Sequence, residues 1–176
     1  MEYRPKTDSE NYLNNWFIQM DATCATAEEL NFICAACFLG FILGAFFFPL
    51  PDQLGRKKTM VLVVLPYIVT MGMVTYGTTL PIKTFGMFMQ GALHIRITLS
   101  YTHMYELVRE KDKPFCAQLM NMFDTITMAV TGTVFLFLTR DAVVFMQLGY
   151  QMFTAGALLY IFFIPESPRW LLINGR

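Results

Sequence analysis

The chain contains 176 residues, of which 55% are hydrophobic and 15% are charged, and its formal net charge is zero. This composition excludes an ordinary soluble domain, because the charges occur in short groups separated by long uncharged runs. A helix that crosses a bilayer needs roughly 20 such apolar residues. The balanced charge gives no reason to expect a nucleic acid partner. The sequence therefore predicts an integral membrane protein in contact with the lipid bilayer.

Residues 1–29 form a polar N-terminal segment. Its mixture of acidic and basic residues fits neither a secretory signal, which has an apolar core, nor a transit peptide, which is poor in acidic residues. We therefore expect targeting to depend on the internal spans. The apolar stretch within residues 11–25 is too short to cross the membrane, and Trp16 favours a position at the membrane interface.

Five long runs with few or no charges predict five transmembrane helices and an all-α fold. Thr26 and Glu29 have the spacing of a capping box and mark the start of the first helix. Pro66 and Gly72 interrupt the second run, which is tolerated when neighbouring helices satisfy the freed backbone groups. The predicted spans are about 30–50, 60–80, 84–105, 115–138 and 142–164, so the membrane domain covers 30–164 and a tail covers 165–176.

The basic residues between the spans predict the orientation of the chain. Lys and Arg are more frequent in the segments at one side of the membrane than at the other. Because basic residues are retained on the inner side, we expect loops 52–58 and 107–114 and the tail 165–176 to face inward. The N-terminal segment then faces outward.

The sequence contains few residues of the kind that carry catalysis or bind metals. Cys34 and Cys37 form a C-x-x-C pair within an apolar run, without a second pair or a histidine nearby, and we expect buried structural thiols. His94 and His103 do not share a helix face cleanly and have no evident third ligand. No nucleophile–base pair or Gly-rich phosphate loop is present. We therefore expect no enzyme activity, no catalytic residues, no cofactor and no metal site.

Two opposite charges lie within predicted spans. Arg96 and Asp124 fall at similar depth in neighbouring antiparallel spans, and an isolated charge there costs at least about 2.5–3.5 kcal/mol. We expect an internal ion pair, with a remnant substrate or proton site as the alternative. Two further pairs have a spacing of three residues and are expected to interact: His103 with Glu106, and Glu166 with Arg169.

Two short motifs flank the predicted spans. The first follows the first span and reads Asp52-Gln53-Leu54-Gly55-Arg56-Lys57-Lys58. The second follows the fifth span and reads Pro165-Glu166-Ser167-Pro168-Arg169-Trp170-Leu171-Leu172. Together they resemble the major facilitator superfamily, chiefly its organic cation/anion transporters and sugar porters. The resemblance covers roughly residues 16–176 and implies a truncated N-terminal half that contains family helices two to six.

The resemblance also implies roles for the motif residues. Gly55 would permit a tight turn between antiparallel helices, and Asp52 would cap and brace an adjacent helix. Arg56 and Lys57 would fix the inner side of the membrane. The family's post-helix motif would consist of Pro165, Glu166, Ser167, Pro168 and Arg169.

Two departures from the family pattern concern contacts with the family's other half. Phe48 stands where the family has a glycine that lets a helix of the C-terminal half approach closely. Gln53 stands where the family has a basic residue of its gating network. Both changes favour relaxed constraint on contacts to that half.

These features lead to two functional hypotheses. The first is a degenerate transporter half retained as a non-transporting structural or accessory subunit of a larger membrane complex, such as an energy-transducing one. It predicts other integral membrane subunits as partners and no small-molecule substrate. The alternative is a fragment or half of an active organic-ion secondary transporter, for example because the sequence is a truncated product. The mitochondrial inner membrane is the expected location under the first hypothesis, and the plasma membrane is the alternative.

Overall fold

The computed structural model describes residues 14–20, 25–137 and 141–174, and almost all of them are helical. In chain order the helices are α1 (Trp16–Gln19), α2 (Ala27–Gly44), α3 (Leu50–Leu54), α4 (Arg56–Tyr76), α5 (Leu80–Ala92), α6 (Ile95–Leu107), α7 (Lys113–Phe137), α8 (Ala142–Phe163) and α9 (Pro168–Ile173). Short 3₁₀ turns follow α2 and precede α7, at Ala45–Phe47 and Glu110–Asp112. The predicted all-α fold is confirmed. Parts of the predicted N-terminal segment and tail, and residue 138 at the end of the predicted fourth span, lie outside the described residues.

The start of α2 is determined by the predicted capping box. The Glu29 backbone N–H donates to the Thr26 hydroxyl at 3.3 Å, and the Thr26 backbone N–H donates to the Glu29 carboxylate at 2.9 Å. Two backbone N–H groups that lack a helical partner are thereby satisfied. This prediction from local sequence is confirmed.

Within the described ranges, four segments are long and apolar enough to cross a membrane: Ala27–Phe47, Arg56–Tyr76, Glu110–Phe137 and Ala142–Ile173. The predicted third span, 84–105, instead contains α5 and α6, which are separated at Leu93 and His94. The backbone tightens there, since the His94 N–H bonds to the Gly91 carbonyl only three residues earlier. Helix α5 packs mainly on α2, whereas α6 packs on α4 and α9. Both helices contact α4, and the break lies where the span leaves α2.

Helices α2 and α5 pack at very short distance because glycines line their contact. A Cβ atom added at Gly40 would overlap the Phe88 carbonyl and lie 2.9 Å from the Ala92 nitrogen. A Cβ added at Gly91 would lie 3.0 Å from the Phe41 nitrogen. Gly40 and Gly44 have the G-x-x-x-G spacing that permits close helix approach in membranes. Van der Waals contact between backbones thus holds this pair together.

The thiols of α2 do not occupy the predicted positions. Cys34 is exposed and Cys37 is partly exposed, whereas Ile33 and Ala36 point into the protein. The expectation of buried structural thiols is therefore wrong for Cys34, because that residue lies on the outward face of α2.

Helix α4 is the best-packed long helix and holds α6 and α8 together. Met60 and Val64 of α4 and Leu99 of α6 form a buried cluster, against which Tyr160 of α8 packs. Pro66 does not end α4, which continues to Tyr76. The motif-bearing loops lie directly beyond this packed region.

The far end of α4 is held by a buried lysine. Lys83 is fully buried, and its Nζ donates to the Val74 carbonyl at 2.7 Å. The same Nζ lies 5.2 Å from the centre of the Trp16 ring. The Ala142 N–H of α8 donates to the carbonyl of Asn14, two residues before Trp16, at 2.9 Å. The described part of the N-terminal segment is therefore held against the ends of α4, α5 and α8.

Candidate functional site

A glycine turn between α3 and α4 forms the base of the first candidate site. Gly55 has φ 103°, a left-handed conformation that side chains disfavour, and its N–H donates to the Pro51 carbonyl at 3.1 Å. A Cβ at this position would also lie 2.8 Å from a carboxylate oxygen of Glu166. Glycine is required here both by the backbone and by the neighbouring side chain. The turn places Asp52 and Arg56 side by side.

Substitution of Gly55 by alanine should destabilise the chain. A side chain in this left-handed backbone conformation costs of order 1–3 kcal/mol, and displacement of Glu166 adds to that cost. We therefore expect the free energy of unfolding to fall by about 2 kcal/mol. The measurement is the thermal unfolding midpoint in detergent. Gly149→Ala is the matched control, because a Cβ there meets nothing within 4 Å. An equal effect of both changes would contradict the role assigned to Gly55.

Arg56 binds two carboxylates at this end of the helices. Its Nε donates to the Glu106 oxygens at 3.2 and 3.3 Å, and its Nη2 donates to Glu106 Oε1 at 3.1 Å. A second ion pair joins Arg56 to Asp52. The Glu106 side chain is 8% exposed, whereas that of Asp52 is 75% exposed. The ion pair with Glu106 links α4 to α6 and is the one that is shielded from solvent.

The second motif binds to the same carboxylate, Glu106, that pairs with Arg56. The buried Ser167 hydroxyl donates to Glu106 Oε2 at 2.6 Å and also accepts from the Trp170 N–H, which caps α9. The Glu166 carboxylate accepts the Lys57 N–H at 2.8 Å. The two motifs are therefore directly joined, although more than 100 positions separate Lys57 from Glu166 in the sequence.

Glu106 lies just beyond the predicted third span and is ionised at neutral pH. Burial raises the pKa of its carboxyl, but the hydrogen bonds from Arg56 and Ser167 lower it more, so that the pKa lies below its ordinary value. The Glu106 carboxylate is thus an anion held between the Arg56 guanidinium and the Ser167 hydroxyl. It can hold α4, α6 and α9 together at one end.

The remaining motif residues have supporting positions. Lys57 contributes its backbone N–H, Pro168 is the first residue of α9, and Pro165 lies between α8 and α9. Arg169 is exposed.

The two predicted short-range pairs are not formed. His103 contacts the Tyr160 hydroxyl instead of Glu106, and Glu166 accepts backbone N–H groups instead of pairing with Arg169. The sequence reasoning therefore missed the role of Glu106. The available signal was an acidic residue at the same membrane end as the Asp52–Arg56 loop.

Arg96 and Asp124 line a second candidate site, a cleft between α6 and α7. Its volume is about 480 Å³, and its polar lining residues also include Ser100 and Tyr101. The structure does not join the two charges in an ion pair. Arg96 stacks 3.9 Å from the centre of the Tyr67 ring and donates to the Tyr67 hydroxyl at 2.9 Å. Asp124 instead accepts from the Tyr101 hydroxyl at 3.4 Å.

Helix α7 forms the open wall of this cleft. None of its described residues is buried, and Asn121, Asp124 and Thr125 are exposed. These residues share one face of the helix, because positions three and four apart are neighbours. Phe123 and Ile126 lie outside that face and are also exposed. Helix α7 thus has a polar face and an apolar face, both without extensive helix contacts among the described residues.

The described residues contain no group of three or more His, Cys, Asp or Glu side chains arranged to hold a metal ion. The chemistry of both sites consists of charges and hydrogen bonds. The first site can lock helices together, and the second can receive a polar group within the membrane.

Long apolar helices joined by short charged loops are typical of a multi-pass integral membrane protein. The model of the family "Sugar (and other) transporter" matches residues 6–176. The chain therefore belongs to this family of the major facilitator superfamily. It is an integral, multi-pass membrane protein with part of the major facilitator fold.

Three curated relatives illustrate the similarity. The chain is 25% identical over 171 residues to the organic cation transporter protein of Drosophila melanogaster, covering 96% of this chain and 31% of the relative. It is 20% identical over 173 residues to organic cation transporter 1 of Caenorhabditis elegans, covering 96% and 29%. It is 27% identical over 134 residues to the facilitated trehalose transporter Tret1 of Drosophila grimshawi, covering 73% and 14%. The chain thus spans less than a third of the length of these relatives.

Proposed function

We propose that this chain is part of a secondary transporter and that the cleft between α6 and α7 receives a small organic cation. The observation that carries the proposal is the Asp124 carboxylate, exposed on α7 and lining the cleft. Ionisable residues within membrane spans are costly and usually mark substrate or ion pathways. Arg96 is held against Tyr67 by a hydrogen bond and a ring contact, although its buried Nε has no hydrogen-bond partner among the described residues. Asp124 is the negative charge that the cleft offers to a cation. The names of two relatives, which refer to organic cations, agree with this polarity.

The network around Arg56 supports the same proposal. It fixes α4, α6 and α9 at one end of the bundle, while α7 remains apart at the cleft. In transporters of this architecture, bundles rock around a fixed binding site. A charged lock at one end would stabilise one of the states of that cycle.

Replacement of Asp124 by asparagine should strongly reduce cation uptake. Asparagine keeps the shape but removes the charge, so we expect at least a tenfold decrease, which corresponds to 1.4 kcal/mol or more. The measurement is uptake of tetraethylammonium by proteoliposomes that contain the chain with every protein that co-purifies with it. Val130→Leu, an exposed position on the same helix, is the matched control. Unchanged uptake by Asp124→Asn would contradict the proposal.

The second candidate function is the non-transporting accessory subunit. Its support is Phe48, which is 52% exposed and lines a small pocket with Asp52 and Arg56. A large aromatic side chain beside the charged network would prevent close approach by another helix. Helix α7 would then be covered by other integral membrane subunits, which would also shield Asp124 from lipid.

Purification of the tagged protein in mild detergent separates the two candidates. Migration at a fixed ratio within a large membrane complex, without tetraethylammonium uptake, would support the accessory subunit and identify its partners and its membrane. Uptake that depends on Asp124 would support the transporter.

A further inference from the structure

We propose that a pocket at the motif end of the helices binds the phosphate group of an anionic phospholipid. The pocket has a volume of about 250 Å³ and lies between α3, the beginning of α4 and α9. This site is separate from the cleft, and the inference does not depend on the proposed function. The residues that line the pocket are Gln53, Leu54, Lys58, Trp170 and Asn174.

The pocket contains hydrogen-bond donors that the protein does not use. Among the described residues, Lys58 forms no ion pair and Gln53 forms no side-chain hydrogen bond. The neighbouring carboxylates are already engaged, since Asp52 pairs with Arg56 and Glu166 accepts the Lys57 N–H. An ammonium and an amide directed at one small space suit a phosphate group. Lys58 therefore supplies an uncompensated positive charge.

The walls of the pocket are held in place before any ligand binds. The Trp170 indole N–H donates to the Asp52 carbonyl at 3.1 Å, and the Asn174 amide donates to the Trp170 carbonyl at 3.0 Å. The Gly55 turn fixes α3 relative to the first turn of α4. A preformed site costs less to occupy than one that must be ordered.

Apolar side chains around the pocket indicate a lipid as the source of the phosphate. Leu54 lines the pocket and is exposed, and α9, which supplies Trp170, also carries the exposed Leu172 and Ile173 outside the pocket lining. Trp170 belongs to the residue type that favours the membrane interface. Acyl chains can cover Leu54 and the Trp170 ring while the phosphate contacts Lys58. Basic pockets between membrane helices commonly hold anionic headgroups in this way.

The test compares lipid retention by the whole chain and two matched variants. The protein is equilibrated in mixed micelles of phosphatidylglycerol and phosphatidylcholine, and bound lipid is counted by native mass spectrometry. We expect the wild type to retain phosphatidylglycerol preferentially, and Lys58→Gln to bind it about fivefold less, the effect of one basic residue near the surface. Lys111→Gln is the control, because Lys111 is exposed in the Glu110–Asp112 turn and does not line the pocket.

Three results would overturn the proposal. The first is equal retention by Lys58→Gln and the wild type. The second is an equal loss in both lysine variants, which would indicate general attraction to negative lipid. The third is a wild-type unfolding midpoint raised as much by inorganic phosphate as by phosphatidylglycerol, which would assign the pocket to free phosphate. Gln53→Leu provides a second variant, with reduced retention expected and an unchanged unfolding midpoint in phosphatidylcholine.

Discussion

Replacing Glu106 by glutamine will destabilise the chain far more than replacing Asp52 by asparagine, although both carboxylates bind Arg56. Loss of one partner from a buried pair costs about 3–5 kcal/mol when the other charge stays buried without compensation. Arg56 would keep its exposed pair with Asp52, so the cost should lie at the lower end of this range. An exposed pair contributes about 1 kcal/mol or less. Glu106 is shielded from solvent, whereas Asp52 is largely exposed. We therefore expect the free energy of unfolding to fall by about 3 kcal/mol in Glu106→Gln and by less than about 1 kcal/mol in Asp52→Asn. Thermal unfolding midpoints in one detergent provide the comparison.

The pH dependence of the same variants gives an independent control. The pKa of folded Glu106 lies below its ordinary value, so its charge stabilises the fold above that value, and the contribution is lost as pH falls through the folded pKa. The difference in unfolding midpoint between the wild type and Glu106→Gln should therefore become smaller at acidic pH. A difference that stays constant, or equal losses for Glu106→Gln and Asp52→Asn at neutral pH, would contradict the assigned network.

Leucine at Gly40 will separate α2 from α5. The added Cβ would overlap backbone atoms at Phe88 and Ala92, which cannot move aside as a flexible side chain could. Overpacking costs typically 1–3 kcal/mol and occasionally more, and we expect the upper end, on the order of 3 kcal/mol. The readouts are the unfolding midpoint and the monodispersity of the purified protein.

Leucine at Gly132 is the matched control for this change. Gly132 also lies within a long apolar helix, but a Cβ there meets nothing within 4 Å. Leucine is a better helix former than glycine by as much as about 1 kcal/mol. Gly132→Leu should therefore be neutral or stabilising. Similar destabilisation by both substitutions would indicate a general effect of bulk and would refute the close α2–α5 contact.

Part of the candidate site could be predicted from the sequence. The tight turn at Gly55 and the importance of both motifs were implied by the family resemblance, which rests on two short runs of consecutive residues. The direct contact between Glu166 and the Lys57 N–H did not follow. Nor did the pairing of Arg56 with Glu106, which lies 50 positions away.

The cleft shows the same distinction. Similar depth in neighbouring spans suggested an ion pair between Arg96 and Asp124, and both residues do line one cleft. Depth is a property of position along the sequence, but pairing also depends on how each helix is rotated about its axis. Arg96 lies against the Tyr67 ring of α4 and donates a hydrogen bond to its hydroxyl instead of reaching Asp124.

The sequence by itself determined the membrane class, the family resemblance, most of the long apolar spans and the cap that begins α2. These features depend on apolar runs and on hydrogen bonds between residues a few positions apart. Only the tertiary structure decided where the third span breaks, which carboxylate Arg56 holds, that Cys34 faces outward, and that glycines bring α2 and α5 together. The physical reason is that packing and ion pairing between helices depend on their relative rotation and separation, which arise when all helices bury their surfaces together.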